Sequence, residues 1–439
     1  MRKSLIVGIL RESKEGELRS PLSPEDVRWL IDRKIRVEVE SSGDRVFSDN
    51  EYKKAGAAVL PRVNKASLLL GIKERIPGSM LENKIYMIFS HTVKGQKHNM
   101  PLLRSCLKKK ITLIDYENIV NPRGKRLAYF GKFAGICGAV DSLHYFGKKL
   151  ELKNIDNPFL DLRQAHTYAS NRDVKKAVSR VSSRIKKSGL DKRLEPFIIG
   201  VTGHGNVLSG VDEIISRLDP VEIHPKDMRE FFKKKKAGDG RIYKIVFYRE
   251  EKLRSKNGSG YYFEEYLKHP DRFESNLDRY LPYLSMLIHT SYWDDRYPRL
   301  VTRRMIHSLA KKRPFRLEFI GDISCDIKGS IELTYKTSSL DDPVYTYDAV
   351  KKKYSDGCRA GGIAVLAVDN LPTQLPKDAS EQFSSLIREY VYQLAAHGVR
   401  DITNHAALPL ELRGAVIAEG GRLANEYEYL KRHINSTGR

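Results

Sequence analysis

The sequence predicts an α/β protein of two domains, each with a parallel sheet, separated by a cleft, with a C-terminal tail that returns to the first domain. Three observations predict it. Short apolar runs alternate with amphipathic segments from the start of the chain, the pattern of strand–helix–strand units. The chain has 439 residues, long for one core when domains hold roughly 100–200 residues each. An apolar run opening at Phe197 breaks at a cluster of glycines, Gly203, Gly205 and Gly210, with nearly half the chain already behind it.

The elements follow in order. Ser4–Leu10 reads as a strand, because its apolar core is too short for a signal peptide and Arg11 and Glu12 close it. Ser23 caps a helix that begins at Pro24, with Glu25 and Asp26 in its first turn. Arg36–Glu40, Leu68–Ile72, Ile85–Phe89 and Thr112–Ile114 read as further strands, with helices over Asp49–Ala55 and Met100–Lys109. The spacing predicts an apolar helix over Phe130–Leu150, crossing between domains and rich in small residues that permit close approach. A polar helix follows over Asn171–Lys187. The run from Phe197 then gives strand, glycine turn and helix in succession, the helix carrying Val211, Ile214, Ile215 and Leu218. In that context the glycines are expected to let backbone approach a pyrophosphate, with the helix N-terminus offering N–H groups. Both domains are therefore expected to be Rossmann-like. Val221–His224 reads as the second strand of this domain, and Ile242–Phe247, Met286–Ile288, Leu317–Asp322 and Ile363–Val368 as later ones. Lys233–Gly240 and Lys256–Gly260 read as loop insertions. Ser380–Leu394 and Pro409–Arg422 read as helices of the tail. The domains are drawn as 1–130 plus 371–439, and 131–370.

Composition narrows the function classes. Apolar residues make up 41% and aromatics 9%, ordinary for a globular chain. No apolar run approaches the roughly 20 residues of a membrane span. Cys106, Cys137, Cys325 and Cys358 are scattered without a CxxC pair, which argues against zinc and disulfides and suits a cytoplasmic location. The formal charge of +23 admits nucleic acid, anionic surfaces or acidic metabolites. Its lysine runs, 108–110, 233–236 and 351–353, lack interleaved aromatics, so they read as solvated surface rather than a nucleic-acid platform. Part of the field could draw in a dicarboxylate or a phosphorylated cofactor.

Ionisable groups fall at the ends of predicted strands, where ligands bind in open α/β sheets. These are Arg19, Lys73 with Glu74, His91 with Lys94, and Arg126. Singly, each has a bland reading as an edge lysine or a structural histidine. Together they form a cationic cluster able to hold carboxylates through paired N–H donors.

Several strings then carry a resemblance. They are Leu18–Pro24 (LRSPLSP), Leu70–Lys73 (LGIK), Phe89–Gln96 (FSHTVKGQ), Leu113–Glu117 (LIDYE), Gly203–Val207 (GHGNV), Gly321–Glu332 (GDISCDIKGSIE) and Val368–Pro376 (VDNLPTQLP). In this order the chain resembles the lysine-ketoglutarate reductase domain that opens the bifunctional aminoadipic semialdehyde synthases. It is similar, more distantly, to NAD-dependent, lysine-forming saccharopine dehydrogenase and to alanine dehydrogenase. The resemblance spans nearly the whole chain and stops where the bifunctional enzymes continue, which implies a free-standing first enzyme.

The resemblance implies NADPH-dependent condensation of L-lysine with 2-oxoglutarate to saccharopine, or its reverse. Lys73 and His91 match the acid/base pair, and Arg19 and Arg126 the groups that hold substrate carboxylates. Lys94, Glu74 and Glu117 match residues around that site. Gly203, His204, Gly205, Asn206 and Val207 match the cofactor turn, and Asp369 an acid near the cofactor. His204 departs from the smaller residue usual in that turn. Asp322, Asp326 and Glu332 read as cofactor-contacting or loop-structuring rather than as metal ligands, and no metal set is expected. An acid about 20 residues beyond the glycines would bind the 2′-hydroxyl of NAD. Here the strand end shows His224, Pro225 and Lys226, with Glu222 too early. NADP(H) is therefore favoured and NAD(H) remains open. The expected partners are small molecules rather than membrane or nucleic acid. The exact amine and the oligomeric state, a homo-oligomer included, stay open. The rivals are a lysine-forming NAD-linked enzyme, a reductase of another amine, and a nucleotide- or nucleic-acid-binding protein without catalysis.

Overall fold

In the computed structural model, residues 4–234, 239–312, 314–398 and 402–436 are described. The chain forms two compact units, one of Met1–Phe130 with Pro376–Arg439, the other of Gly131–Leu375.

The first unit begins with β1 (Val7–Ile9) and α1 (Pro24–Asp32). Ser23 accepts the Asp26 N–H and Pro24 opens the helix, the capping the sequence predicts. Then come β2 (Val37–Glu40), α2 (Asp49–Lys54), β3 (Ala58–Leu60), β4 (Leu68–Leu70), β5 (Ile85–Ile88), α3 (Met100–Lys108) and β6 (Thr112–Asp115). The β3 strand was not expected, since it is only three residues long and partly exposed.

The second unit opens with α4 (Gly131–Glu151) and α5 (Asn171–Ser188), then β7 (Phe197–Thr202) and α6 (Asn206–Ile215). The α4 helix lies wholly within this unit, not across two as expected. It packs closely on α6 because two glycines face each other. A Cβ on Gly135 would stand 2.0 Å from the Val207 carbonyl oxygen, and one on Gly210 1.9 Å from that of Lys132. Next are β8 (Val221–Glu222), α7 (Met228–Lys234), β9 (Ile242–Phe247), α8 (Arg249–Lys252) and β10 (Leu253–Ser255). Of the lysine-rich loop expected at 233–240, residues 235–238 lie outside the described residues. The segment read as a loop at 256–260 lies between β10 and α9 (Phe263–Lys268), and β11 (Phe273–Ser275) closes an antiparallel pair with β10. Then follow β12 (Met286–His289), α10 (Arg303–Ala310), β13 (Phe319–Asp322), β14 (Val344–Asp348), β15 (Lys353–Asp356) and β16 (Ile363–Leu366). The sheet order is β15-β14-β16-β13-β12-β7-β9-β8, parallel except for β14, which runs antiparallel to both of its neighbours, β16 and β15. Val221–Glu222 is thus an outer edge strand, and β9 lies between it and β7.

The tail returns to the first unit through α11 (Pro376–His397), α12 (Leu410–Arg413), β17 (Val416–Glu419), β18 (Arg422–Leu423) and α13 (Lys431–Ser436). The single helix expected over 409–422 is instead one helical turn and two strands, because Val416–Ala418 pair antiparallel with β6. The first sheet runs β18-β17-β6-β5-β4-β1-β2-β3. Each unit has its own apolar core. Leu103, Leu113, Ile417 and Leu430 close the first, and Ile198, Ile245, Leu287 and Ile320 the second.

Candidate active site

In the first unit, β1, β4, β5 and β6 are adjacent and parallel, so their C-terminal ends share one edge of the sheet. Chemistry-bearing residues follow each of them. Glu12 follows β1, Lys73 and Glu74 follow β4, His91 follows β5, and Asp115 with Glu117 close β6.

His91 sits on left-handed backbone, φ 49°, a conformation uncommon for non-glycine residues though less so for histidine. Its Nδ1 meets Glu74 Oε1, and its ring lies 6.2 Å from the Phe89 ring at 21°. Asn99 Nδ2 donates to its carbonyl at 2.9 Å. Burial works against the imidazolium, but the Glu74 hydrogen bond and charge outweigh it and raise the His91 pKa. Glu74 is driven down to about 2, since its bond to His91 overcomes its own burial. Lys73 goes the other way. Burial, then the charges of Arg19 and Lys14, push its pKa below the usual lysine value.

Glu12 anchors the chain beneath this pair, its carboxylate accepting the N–H groups of Ile72 at 2.6 Å and Lys73 at 3.2 Å. Burial raises its pKa. Asp115 is fully buried, and burial followed by the nearby Glu117 lifts it to about 6. It accepts from Ser90 N at 3.1 Å and Glu117 N at 2.8 Å. Sequence reasoning missed Glu12 as a site residue and quoted Asp115 only within a string. Their signal was position, since each stands at or just past the end of a buried strand.

Arg19 is buried and Glu17 already grips it, Nε to Oε1 at 2.7 Å and Nη2 to Oε2 at 2.6 Å. Its guanidinium carbon lies 4.1 Å from the Phe130 ring centre. Glu17 therefore fixes the fork of Arg19 within a cavity of about 410 Å³ that Glu12, Lys14 and Arg45 also line. Arg126 is half exposed and pairs with Glu117 at 3.0 Å. Lys94 is exposed on the turn closed by Gly95 N–H to the Thr92 carbonyl, 2.9 Å.

In the second unit, Gly203 has φ 133°, and a Cβ there would stand 2.0 Å from Thr290 Oγ1. Gly205 differs. Its backbone is extended and a Cβ would meet nothing within 4 Å. The protein itself does not require glycine there, which fits a bound group that approaches the backbone. Gly205 also N-caps α6 without any side-chain cap, just ahead of Asn206 and Val207, so the ten-residue helix suits an anion. These features fit a dinucleotide pyrophosphate. His204 is exposed and its Nε2 accepts from Arg249 Nη2 at 2.9 Å. Asp322 is fully buried, and burial raises it to about 6. Its oxygens accept from Ser324 Oγ at 2.7 Å and Thr334 Oγ1 at 2.6 Å, which gives it a loop-structuring place. Asp369 is exposed just before Asn370, whose φ is 63°. His224 lies at the end of outer strand β8, where its Nδ1 accepts the Lys226 N–H. Glu222 is tied to Lys244 at 2.6 Å. Among the described residues, no group of three or more His, Cys, Asp or Glu could hold a metal ion, and no helix is long and apolar enough to cross a membrane.

The chain is 33% identical over 97% of its length to the alpha-aminoadipic semialdehyde synthase, mitochondrial, of Mus musculus, and 34% identical over 97% to the alpha-aminoadipic semialdehyde synthase of Arabidopsis thaliana. It spans 48% and 41% of those proteins, about half or less of their length. It is 26% identical over 86% of its length to a Neurospora crassa saccharopine dehydrogenase [NAD(+), L-lysine-forming], covering 88% of that protein. In fold it is similar to a solved L-alanine dehydrogenase, with TM-score 0.62 and 16% identity, covering 99% of this chain and 100% of that one. Two models of one family match, alanine dehydrogenase/PNT N-terminal domain at residues 8–137 and C-terminal domain at 248–426. With both halves matched in order on a two-sheet fold of the same kind, the chain belongs to the alanine dehydrogenase/PNT family.

Proposed function

We propose that the chain catalyses the reductive condensation of L-lysine with 2-oxoglutarate to saccharopine, or its reverse, with NADP(H) preferred over NAD(H). The observation that carries this is the placement at one sheet edge of His91, held by Glu74 with its pKa raised, and Lys73, its pKa depressed. Relatives named for saccharopine and aminoadipic semialdehyde chemistry support the substrate class.

The chemistry asks for two proton movements. Attack of the lysine ε-amine on the 2-oxo carbon gives a carbinolamine, whose hydroxyl must leave as water. His91, its pKa raised by Glu74, supplies that proton at Nε2. Lys73, its pKa lowered by burial and neighbouring cations, takes the proton shed by the attacking amine and passes it to the former carbonyl oxygen to make that hydroxyl, so that loss of water with the His91 proton leaves a protonated imine. Arg19 and Arg126 supply N–H donors for the three carboxylates of saccharopine, and Glu17 and Glu117 set their orientation. When bound, a nicotinamide would supply the hydride that turns this protonated imine into the secondary amine. Gly205 and the start of α6 would hold its pyrophosphate.

The test is consumption of NADPH and of NADH by the purified protein, with a panel of amines against 2-oxoglutarate and other 2-oxo acids. Turnover with lysine plus 2-oxoglutarate, faster with NADPH, is expected. Turnover only with a different amine, or none with any pair, would overturn the reading.

A further inference from the structure

In the doubly wound fold, the residue that meets the adenosine ribose stands at the C-terminal end of the strand beside the glycine-turn strand. It lies on the side away from the later strands. Here that strand is β9, not β8, for β7 is flanked by β12 on one side and β9 on the other. The register pairs Thr202 with Phe247, so Tyr248 and Arg249 lie level with Gly203 and His204. The Gly203 N–H points to the Phe247 carbonyl at 3.5 Å.

We propose that Arg249, with Lys252 beside it, forms a subsite for the adenosine 2′-phosphate of the dinucleotide and so selects the phosphorylated cofactor. This rests on the dinucleotide reading above and adds the residue that discriminates. Arg249 is preset for the task. Its Nη2 donates to His204 Nε2 at 2.9 Å, and its guanidinium carbon lies 4.3 Å from the Phe263 ring centre. Two anchors fix the planar fork that matches phosphate geometry. Lys252 is buried, and its Nζ donates to Ser291 Oγ at 2.7 Å. Burial, then the Arg249 charge, lowers its pKa to about 8. Neither cation makes an ion pair among the described residues, and the two repel each other. A dianionic phosphomonoester placed against both relieves that repulsion.

The space for it is present. A cavity of about 200 Å³ is lined by His204, Arg249, Lys252, Phe263, Tyr292 and Trp293, between the loops that follow β9 and β12. Tyr248 and Tyr292 are 48% and 63% exposed at those loops, flat faces on which a purine can stack. Glu251 is turned back to accept the Tyr248 N–H at 2.9 Å, and Glu250 is exposed on α8.

The experiment is titration calorimetry on the full chain with 2′,5′-ADP and with 5′-AMP, which needs no substrate and no turnover. The wild type is expected to bind 2′,5′-ADP about tenfold or more tightly than 5′-AMP, the worth of one strong charge-assisted contact. Arg249→Met is expected to erase that ratio while 5′-AMP affinity and the melting temperature hold, and Arg249→Lys to restore part of it. Equal wild-type affinities, or a ratio that survives Arg249→Met, would overturn the proposal. So would a ratio that inverts in the wild type and disappears in Glu250→Gln, since that assigns the ribose to a carboxylate. Failure of the lysine reaction leaves this result untouched, and failure here leaves the lysine reaction standing.

Discussion

His91 and Glu74 form one titrating unit, and their opposite shifts have one cause. Burial alone would make His91 a weaker base, and Glu74 reverses the sign. Glu74→Gln removes the largest influence opposing burial and leaves only the weaker charges of Glu117 and Asp115 against it. The ionisation of His91 is then expected at lower pH than in the wild type, read from the pH dependence of kcat/KM. An unmoved profile would separate His91 from the reaction. His91→Gln and Lys73→Met are each expected to slow turnover about 10²–10⁴-fold while NADPH affinity, followed by fluorescence titration, stays near wild type. Equal losses of cofactor affinity in both would contradict the roles assigned. At this scale Lys73 and His91 stood out in the sequence because ionisable residues close apolar runs there, whereas Arg19 and Arg126, also expected at strand ends, lie in the connections well past β1 and β6. Glu12 did not stand out, because its neighbour Arg11 made the pair look like solvent-facing punctuation. What makes Glu12 matter is its bond to the N–H groups of Ile72 and Lys73, sixty and sixty-one residues away, and separation of that kind leaves no local trace.

The elements show which glycines serve the fold and which are open to a ligand. Gly210→Ala would drive a methyl against the Lys132 carbonyl, and α4 and α6 cannot separate without opening the core. A loss of about 1–3 kcal/mol or more is expected, seen as a lower melting temperature. Gly205→Val meets open space, so the melting temperature should hold while dinucleotide affinity falls. Wild-type affinity in that variant would show that the turn is not the phosphate site. The strand, turn and helix around Gly203 were legible, since period, glycines and length agreed. The order of β8 and β9 was not. Both are short apolar runs followed by a charged turn, and spacing from the glycines favoured the first. Only the pairing of Phe197–Thr202 with Ile242–Phe247 decides between them. The β10–β11 and β14–β15 pairs escaped for a similar reason, as strands of three to five residues carry little alternation.

The whole molecule is organised by a chain whose two ends build one unit and whose middle builds the other. The α11 helix docks on α1 and the segment leading into it through polar contacts: Ser20 N to Ser380 Oγ at 2.9 Å, Ser23 N to Ser384 Oγ at 2.9 Å, and Arg388 to Asp26 at 2.8 Å. β17 then covers the edge of β6. Deleting residues 376–439 strips both and uncovers Leu103, Cys106 and Leu113. The shortened chain is expected to collect in the insoluble fraction after expression. A monodisperse, soluble product would show that the first sheet closes without its tail. The α/β class and the tail's return were readable from alternating runs. The strands within the tail were not, because Val416–Glu419 is a strand only through its distant partner.

That arrangement also sets a timetable. During synthesis the middle unit is complete on its own and free to fold as soon as it leaves the ribosome. The opening six strands cannot finish, for the partner of β6 is still untranslated. At roughly 5–20 residues per second, that strand keeps a bare flank for tens of seconds, the interval in which a nascent chain is most exposed to wrong pairing and most in need of a chaperone.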